Sequence, residues 1–126
     1  MFAKSALAAA ALLIVTPAMA VDTNLSVTLT TPSGAFEQSV IQYDCGPDTQ
    51  ISVTYINAAP NFLAILTAPE EPASQIFASV QSGSGARYAA GKWVWWSKNT
   101  DANLFDVTLG DDAEPVLTCT EINNTP

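Results

Sequence analysis

The sequence predicts an all-β domain, in the form of a small antiparallel barrel or sandwich. Apolar and polar residues alternate in several short runs that are rich in valine, isoleucine, threonine and aromatic residues, which is the pattern of half-buried strands. Clusters of glycine, proline, asparagine and aspartate separate these runs and predict turns between them. Beyond the N-terminal segment, no stretch has the 3.6-residue period of an amphipathic helix.

Eight short runs are the candidate strands. Some alternate strictly, others are short apolar runs, and one is dominated by tryptophan. In chain order they lie at residues 25–29, 41–45, 51–55, 62–67, 76–80, 92–97, 105–109 and 116–120. Many short strands in one small domain favour a closed barrel or a two-layer sandwich.

The first twenty residues predict a cleaved signal peptide. Lys4 is their only charged residue, an apolar run covers 6–15, and Ala18-Met19-Ala20 has the small residues of a cleavage site. We therefore expect residues 1–20 to be removed and residues 21–126 to form one domain in the periplasm. The apolar run is too short to span a membrane, and no cysteine lies near the cleavage site, so no membrane anchor is expected.

The two cysteines predict a disulfide. Cys45 and Cys119 both lie in the mature part of the chain, and a cysteine pair in a small exported domain usually forms a bridge. A metal or redox pair is the alternative, which the long separation and the absence of histidine disfavour.

The charge balance excludes some partners. With 12 acidic and 4 basic residues, the chain has a formal net charge of −8, which should repel nucleic acid and anionic membranes and attract a basic partner. Solubility alone is the simpler explanation of this charge. The basic residues of the mature part, Arg87, Lys92 and Lys98, all lie in one short stretch.

Sequence motifs of known enzyme classes are missing. Without histidine there is no Ser-His or Cys-His pair and no histidine metal site. Gly83-Ser84-Gly85 is not a nucleophile elbow, because Ser82 stands where that motif has glycine. Asp111 and Asp112 lie in a turn-like segment and indicate a solvated loop. We expect a protein that is not an enzyme and that holds neither a metal nor a cofactor.

Residues 82–98 predict a hairpin preceded by a small loop. The loop Ser-Gly-Ser-Gly leads into a short segment, a turn follows at Gly91, and an aromatic strand ends in Lys98. Such a loop is small enough to enter a cleft. Trp93 and Trp95 share one face of the strand and Trp96 lies on the other, but the sequence does not say which face is outside.

This stretch carries a recognisable motif. Ser84, Gly85 and Tyr88 form the pattern Ser-Gly-x-x-Tyr, Gly91 follows, and Lys98 comes after six further residues. With this spacing, the tryptophan strand and the cysteine pair, the chain resembles the family of membrane-bound and periplasmic inhibitors of c-type lysozyme.

The resemblance extends over roughly residues 41–120 and departs from the family at two points. Asn99 follows Lys98 where the family has glycine, and because asparagine tolerates a left-handed backbone, we expect the turn to persist. The chain also lacks the lipid-bearing cysteine of the membrane-bound branch. In this respect it resembles the soluble periplasmic branch.

The resemblance implies an eight-stranded antiparallel barrel with a defined mode of action. Ser84 and Lys98 would enter the cleft of a c-type lysozyme and contact its two catalytic carboxyl groups. Independently of the resemblance, Tyr88 could belong to the core or support the loop, and we expect support, with its hydroxyl near the interface. Arg87 and Lys92 are expected to be charges at the rim. The implied partner is a c-type lysozyme, bound by a monomer or a weak dimer.

Two other classes of function remain open at this point. A carbohydrate- or ligand-binding barrel could use Trp93, Trp95 and Trp96 to stack on a sugar. A structural protein of the cell envelope would have no partner with an active site.

Overall fold

Eight antiparallel strands close into a barrel in the computed structural model, which describes residues 9–16 and 23–123. The strands are β1 (Glu37–Asp44), β2 (Gln50–Ala58), β3 (Asn61–Leu66), β4 (Gln75–Val80), β5 (Ala86–Ala90), β6 (Trp93–Lys98), β7 (Asp101–Asp106) and β8 (Leu117–Glu121). Each strand pairs with the next in sequence, and β8 returns to β1. The predicted all-β barrel is confirmed, and the sandwich is excluded.

One predicted strand does not exist. Residues 25–29 form no strand, and Leu25 is 85% exposed, so the prediction of a strand there is wrong. The reason is topological: β8 pairs with the end of β1 and closes the barrel, so the barrel is complete without this alternating segment. The eighth strand is instead β5, the first strand of the hairpin.

A second predicted strand is shifted towards the N-terminus. β7 ends at Asp106, and residues Val107–Leu109 form a 3₁₀ helix, so the prediction of a strand over 105–109 is wrong in its second half. The carboxylate of Asp106 accepts a hydrogen bond from the backbone N–H of Thr108, at 2.9 Å. This local side-chain bond competes with the strand ladder and ends the strand.

The core is the barrel interior, where inward side chains from all eight strands meet. On β6, Trp93 and Trp95 point inwards, Trp95 with no exposed surface, whereas Trp96 lies outside and is half-buried. Alternation along the strand therefore divides the three tryptophans between the core and the surface.

The polar atoms of three side chains inside the barrel are paired with one another. The indole N–H of Trp95 donates to the hydroxyl of Tyr55, at 2.8 Å, and the hydroxyls of Tyr55 and Tyr43 are hydrogen-bonded, also at 2.8 Å. The ring of Tyr88 packs on that of Tyr55, with centroids 5.7 Å apart. Because buried polar groups are costly when unpaired, this network makes a tyrosine-rich interior tolerable.

The disulfide between Cys45 and Cys119 is present, as predicted. Cys45 directly follows β1 and Cys119 lies in β8. The ladder between these two strands contains only two residue pairs, against eight between β1 and β2. The covalent bond therefore lies beside the shortest join in the barrel.

In the described residues, no helix has the length and apolar character needed to cross a bilayer. Residues 9–16 have no regular secondary structure. The predicted cleavage site at Ala18-Met19-Ala20 lies outside the described residues, so the signal peptide stays a prediction.

Removing the disulfide should destabilise the barrel strongly. The bridge joins residues 74 positions apart, and the lost restriction of the unfolded chain corresponds to about 4 kcal/mol. The measurement is the free energy of unfolding of a Cys45→Ala/Cys119→Ala double variant, by guanidinium titration. An unchanged midpoint would contradict a stabilising role for the bridge.

Alkaline pH should unfold the protein by ionising its buried tyrosines. Burial, aided in Tyr43 by the hydrogen bond to Tyr55, raises the pKa of Tyr43 and of Tyr88 above the ordinary value. The resulting stability is complete below about pH 10 and falls as the pH rises further, by up to about 1.4 kcal/mol per pH unit for each tyrosine.

Unfolding free energies measured between pH 8 and 12 check this dependence. Tyr88→Phe should give a shallower decline than the parent protein, because one ionisable hydroxyl is gone. Equal slopes in the two proteins would exclude Tyr88 as a contributor.

Candidate functional site

The predicted hairpin is formed by β5 and β6, with Gly91 and Lys92 in the turn between them. Ala86 pairs with Ser97 at the end of the hairpin opposite to this turn. The residues that precede β5 are thereby brought beside the C-terminal end of β6. We call residues 81–85 the Ser84 loop.

Gly85 lets the Ser84 loop lie directly against β6. Its φ angle is +64°, a left-handed conformation that glycine adopts freely. A Cβ atom at this position would overlap the carbonyl oxygen of Ser97 and lie 3.1 Å from both Lys98 Cβ and the Trp96 indole nitrogen. Any larger residue would therefore push the loop away from Lys98.

Ser84 is exposed at the tip of this loop, and its main chain is held by two donors. The indole N–H of Trp96 donates to the Ser84 carbonyl oxygen at 2.8 Å, and the hydroxyl of Ser82 donates to the same oxygen at 2.5 Å. Among the described residues, the Ser84 hydroxyl has no hydrogen-bond partner, so it is available to a partner molecule.

Lys98 lies at the end of β6 with its side chain exposed. Within the described part of the chain, no carboxylate lies within ion-pair distance of its ammonium. Asn99 follows with a φ angle of +56°, so asparagine does adopt the left-handed conformation that we expected at the position of the family's glycine. Lys98 is thus held at a tight turn as an uncompensated cation.

Ser84 and Lys98 border one shallow groove on the outside of the barrel. Its lining comes from the Ser84 loop and from strands β6 and β7, and it includes two aromatic side chains. The groove is lined by Ser84, Trp96, Lys98, Asp101, Asn103 and Phe105.

Arg87 lies on the outer face of β5, beside this groove. Its guanidinium carbon is 5.2 Å from the centroid of the Trp96 ring, a cation–π contact. Its Nε atom is buried without a hydrogen-bond partner among the described residues. Phe105 packs near the same indole, with centroids 6.4 Å apart, so Trp96 is held from two sides.

Lys92 is at the opposite end of the hairpin and is already paired. Its ammonium lies 3.3 Å from the Asp106 carboxylate and 4.6 Å from the centroid of the Trp93 ring. The hydrogen bond from the Thr108 hydroxyl, more than the nearby Lys92, lowers the pKa of Asp106. The basic stretch of the sequence is therefore separated in space into a paired and an unpaired lysine.

The predicted site residues fall into three groups. Ser84, Gly85 and Lys98 lie together at one end of the hairpin, and Arg87 lies beside them. Tyr88 is inside the barrel, only 6% exposed, and its ring packs on that of Tyr55; its support of the loop stays a prediction. Gly91 shapes the distant turn of the hairpin and does not contact the groove.

Several residues of the groove were missed by the sequence analysis. Asp101, Asn103 and Phe105 lie on β7, and the register places Trp96 opposite Asn103 and Lys98 opposite Asp101. The alternation in β7 was the available signal, since it marks these residues as the outward face of a strand. The alternation does not, however, indicate which strand pairs with β6.

Two features bear on the other classes of function. Trp93 and Trp95 are buried, so Trp96 is the tryptophan that reaches the surface. Among the described residues, no group of three histidine, cysteine, aspartate or glutamate side chains is placed to hold a metal ion.

Comparisons with known proteins point to one family. Residues 43–112 match the model of the family described as membrane-bound lysozyme-inhibitor of c-type lysozyme. A protein of that name from Pseudomonas aeruginosa is 32% identical over 81 residues, which are 64% of this chain and 63% of that protein. Another from Cupriavidus necator is 34% identical over 77 residues, 61% of this chain and 60% of that protein. The matches therefore span somewhat less than two thirds of these relatives.

A solved structure is similar over a larger part of the chain. It is the crystal structure of Pseudomonas aeruginosa MliC in complex with hen egg white lysozyme. The TM-score is 0.63 at 25% sequence identity, and the match covers 81% of this chain and all of that one.

Proposed function

The chain belongs to the family of membrane-bound lysozyme inhibitors of c-type lysozyme, and on that premise we propose that it inhibits a c-type lysozyme by occupying the active-site cleft. The observation that carries this proposal is the pairing of two unengaged groups in one groove. Ser84 and Lys98 border the same groove, and within the described part of the chain neither the Ser84 hydroxyl nor the Lys98 ammonium has a partner. The protein acts as a binding partner and not as an enzyme.

The chemistry of lysozyme explains why a hydroxyl and an ammonium suit its cleft. The enzyme uses two carboxyl groups, one protonated as a general acid and one ionised. The Lys98 ammonium would pair with the ionised group and keep it ionised. The Ser84 hydroxyl can both donate and accept, so it suits the protonated group. Occupation by these side chains excludes the sugar that is the substrate.

The charge distribution supports binding to a basic protein at two ranges. The excess of 12 acidic over 4 basic residues attracts a basic lysozyme from a distance and speeds the encounter. At contact, the unpaired Lys98 faces the acidic cleft. Long-range attraction and local complementarity therefore do not oppose each other.

We further propose that the protein works in the periplasm. A disulfide-bonded domain needs an oxidising compartment, and the N-terminal segment has the composition of a signal peptide. In that compartment the protein would bind a lysozyme that has crossed the outer membrane.

The direct test is an activity titration. The chain, exported by a bacterial host and purified, is added to hen egg white lysozyme that is lysing bacterial cell walls. We expect saturable loss of lytic activity near one inhibitor per enzyme. Full activity at micromolar excess of the chain would refute the proposal.

Replacing the two side chains should weaken inhibition selectively. Lys98→Ala should cost about 2–5 kcal/mol of binding free energy, because a buried carboxylate loses its counter-ion. Ser84→Ala should cost about 1–3 kcal/mol. Inhibition constants measured in the lytic assay give both values.

Matched controls come from the same chain. Lys92→Ala removes the lysine that is paired to Asp106 at the far end of the hairpin, and Ser74→Ala removes an exposed serine just before β4, at the end of that strand opposite to the Ser84 loop. Both should inhibit like the parent. Equal losses for Lys98→Ala and Lys92→Ala would move the site away from the groove.

Raising the salt concentration should slow association more than it speeds dissociation. Salt screens the long-range attraction of an acidic body for a basic enzyme, whereas contacts in the cleft are desolvated and screened less. Stopped-flow association rates between 20 and 500 mM salt check this. A salt-independent association rate would remove electrostatic steering from the mechanism.

A further inference from the structure

We infer that Trp96 is a positioning residue whose indole N–H holds the Ser84 loop in the conformation that binds the partner. The inference rests on the proposed function, since it concerns the loop that would enter the lysozyme cleft. Its structural part, that Trp96 orders the loop in the free protein, can be tested without lysozyme.

The Ser84 loop needs an external restraint because its own sequence supplies little. Residues 82–85 read Ser-Gly-Ser-Gly, and such a segment samples many backbone conformations when it is free. The hydrogen bond from Trp96 to the Ser84 carbonyl joins this loop to a strand of the barrel. The Ser82 hydroxyl reaches the same carbonyl, but it belongs to the loop and cannot anchor it to the barrel.

Trp96 is itself held firmly enough to act as an anchor. Its backbone lies within β6, paired with Arg87 on one side and Asn103 on the other. The Arg87 guanidinium covers one part of the ring and Phe105 packs near it. These contacts fix the plane of the indole, and with it the direction of the N–H.

The geometry of Gly85 shows how closely the loop and the indole fit. A Cβ atom on Gly85 would lie 3.1 Å from the indole nitrogen of Trp96, so the loop backbone passes directly over it. The hydrogen bond from Trp96 holds the loop against β6. The missing side chain of Gly85 leaves the space that the loop needs to lie there.

Loss of the N–H should lower the population of the binding-competent loop. Affinity falls in proportion to that population, and losing one hydrogen bond corresponds to a factor of about 3 to 10. Because the contacts in the bound complex remain available, the loss should appear mainly in the association rate. Lys98→Ala, by contrast, should act mainly on dissociation.

The test compares two tryptophan variants. Trp96→Phe keeps an aromatic ring but removes the donor to Ser84. Trp93→Phe is the matched control, because it removes an indole N–H that donates to Glu71, at 2.9 Å, and Trp93 lies at the other end of β6. Backbone ¹⁵N order parameters of Ser84 and Gly85 are measured in the free proteins, and rate constants are measured against hen egg white lysozyme.

We expect Trp96→Phe alone to lower the order parameters of the Ser84 loop, from about 0.85 towards about 0.6, and to slow association about 3- to 10-fold. Unchanged order parameters in folded Trp96→Phe would overturn the inference, even if inhibition weakened. An equal effect of Trp93→Phe on the loop would overturn it too.

Two further observations distinguish a failure of the Trp96 inference from a failure of the proposed function. In the parent protein, the indole proton of Trp96 should exchange with water slowly although the side chain is half-exposed, and rapid exchange would contradict the hydrogen bond without any variant. If the parent protein does not inhibit lysozyme but Trp96→Phe loosens the loop, the positioning role stands and the proposed function fails.

Discussion

The closure of the barrel between β1 and β8 is the constraint on which the remaining structure depends. Two residue pairs form this join, and the disulfide between Cys45 and Cys119 lies next to it. A sheet that failed to close here would expose two edge strands and open the tyrosine-rich interior to water. Closure makes the sheet continuous around the core, and the groove lies on the outer face of this sheet, at β6 and β7. The bridge therefore supports the closed barrel at its shortest join.

The tryptophan strand shows how one element can serve the core and the site together. Trp95 fills the interior and donates its N–H to Tyr55, so its polar atom is satisfied inside the barrel. Trp96, the next residue, points outwards and donates to the Ser84 carbonyl. An indole N–H therefore donates to a core tyrosine on the inner face of β6 and to the Ser84 loop on its outer face. Trp95 is fully buried and Trp96 follows it in the same strand, so the inferred anchor of the loop belongs to a strand that also contributes to the core.

The three cationic side chains of the hairpin make different contacts, although they are close in sequence. Lys92 is paired with Asp106, Arg87 is stacked on Trp96, and Lys98 has neither kind of contact within the described residues. A lysine without a counter-ion next to an aromatic groove is poised to accept a carboxylate from another molecule. The acidic character of the whole chain favours approach to a basic protein, and in the proposed function Lys98 would be the local complement to an acidic cleft.

The sequence by itself determined the all-β class, most strand positions, the cysteine pair and the hairpin, because alternation and turn chemistry are local properties. The motif spacing also singled out Ser84, Gly85 and Lys98. Strand prediction from local patterns was wrong at residues 25–29, which alternate but do not pair with the sheet. It was also wrong from Val107 onwards, where the hydrogen bond to the Asp106 side chain ends the strand. Only the tertiary structure decided which face of β6 is buried, which lysine is free and which residues of β7 line the groove. These depend on strand neighbours and register, and a strand's own sequence does not encode its partner.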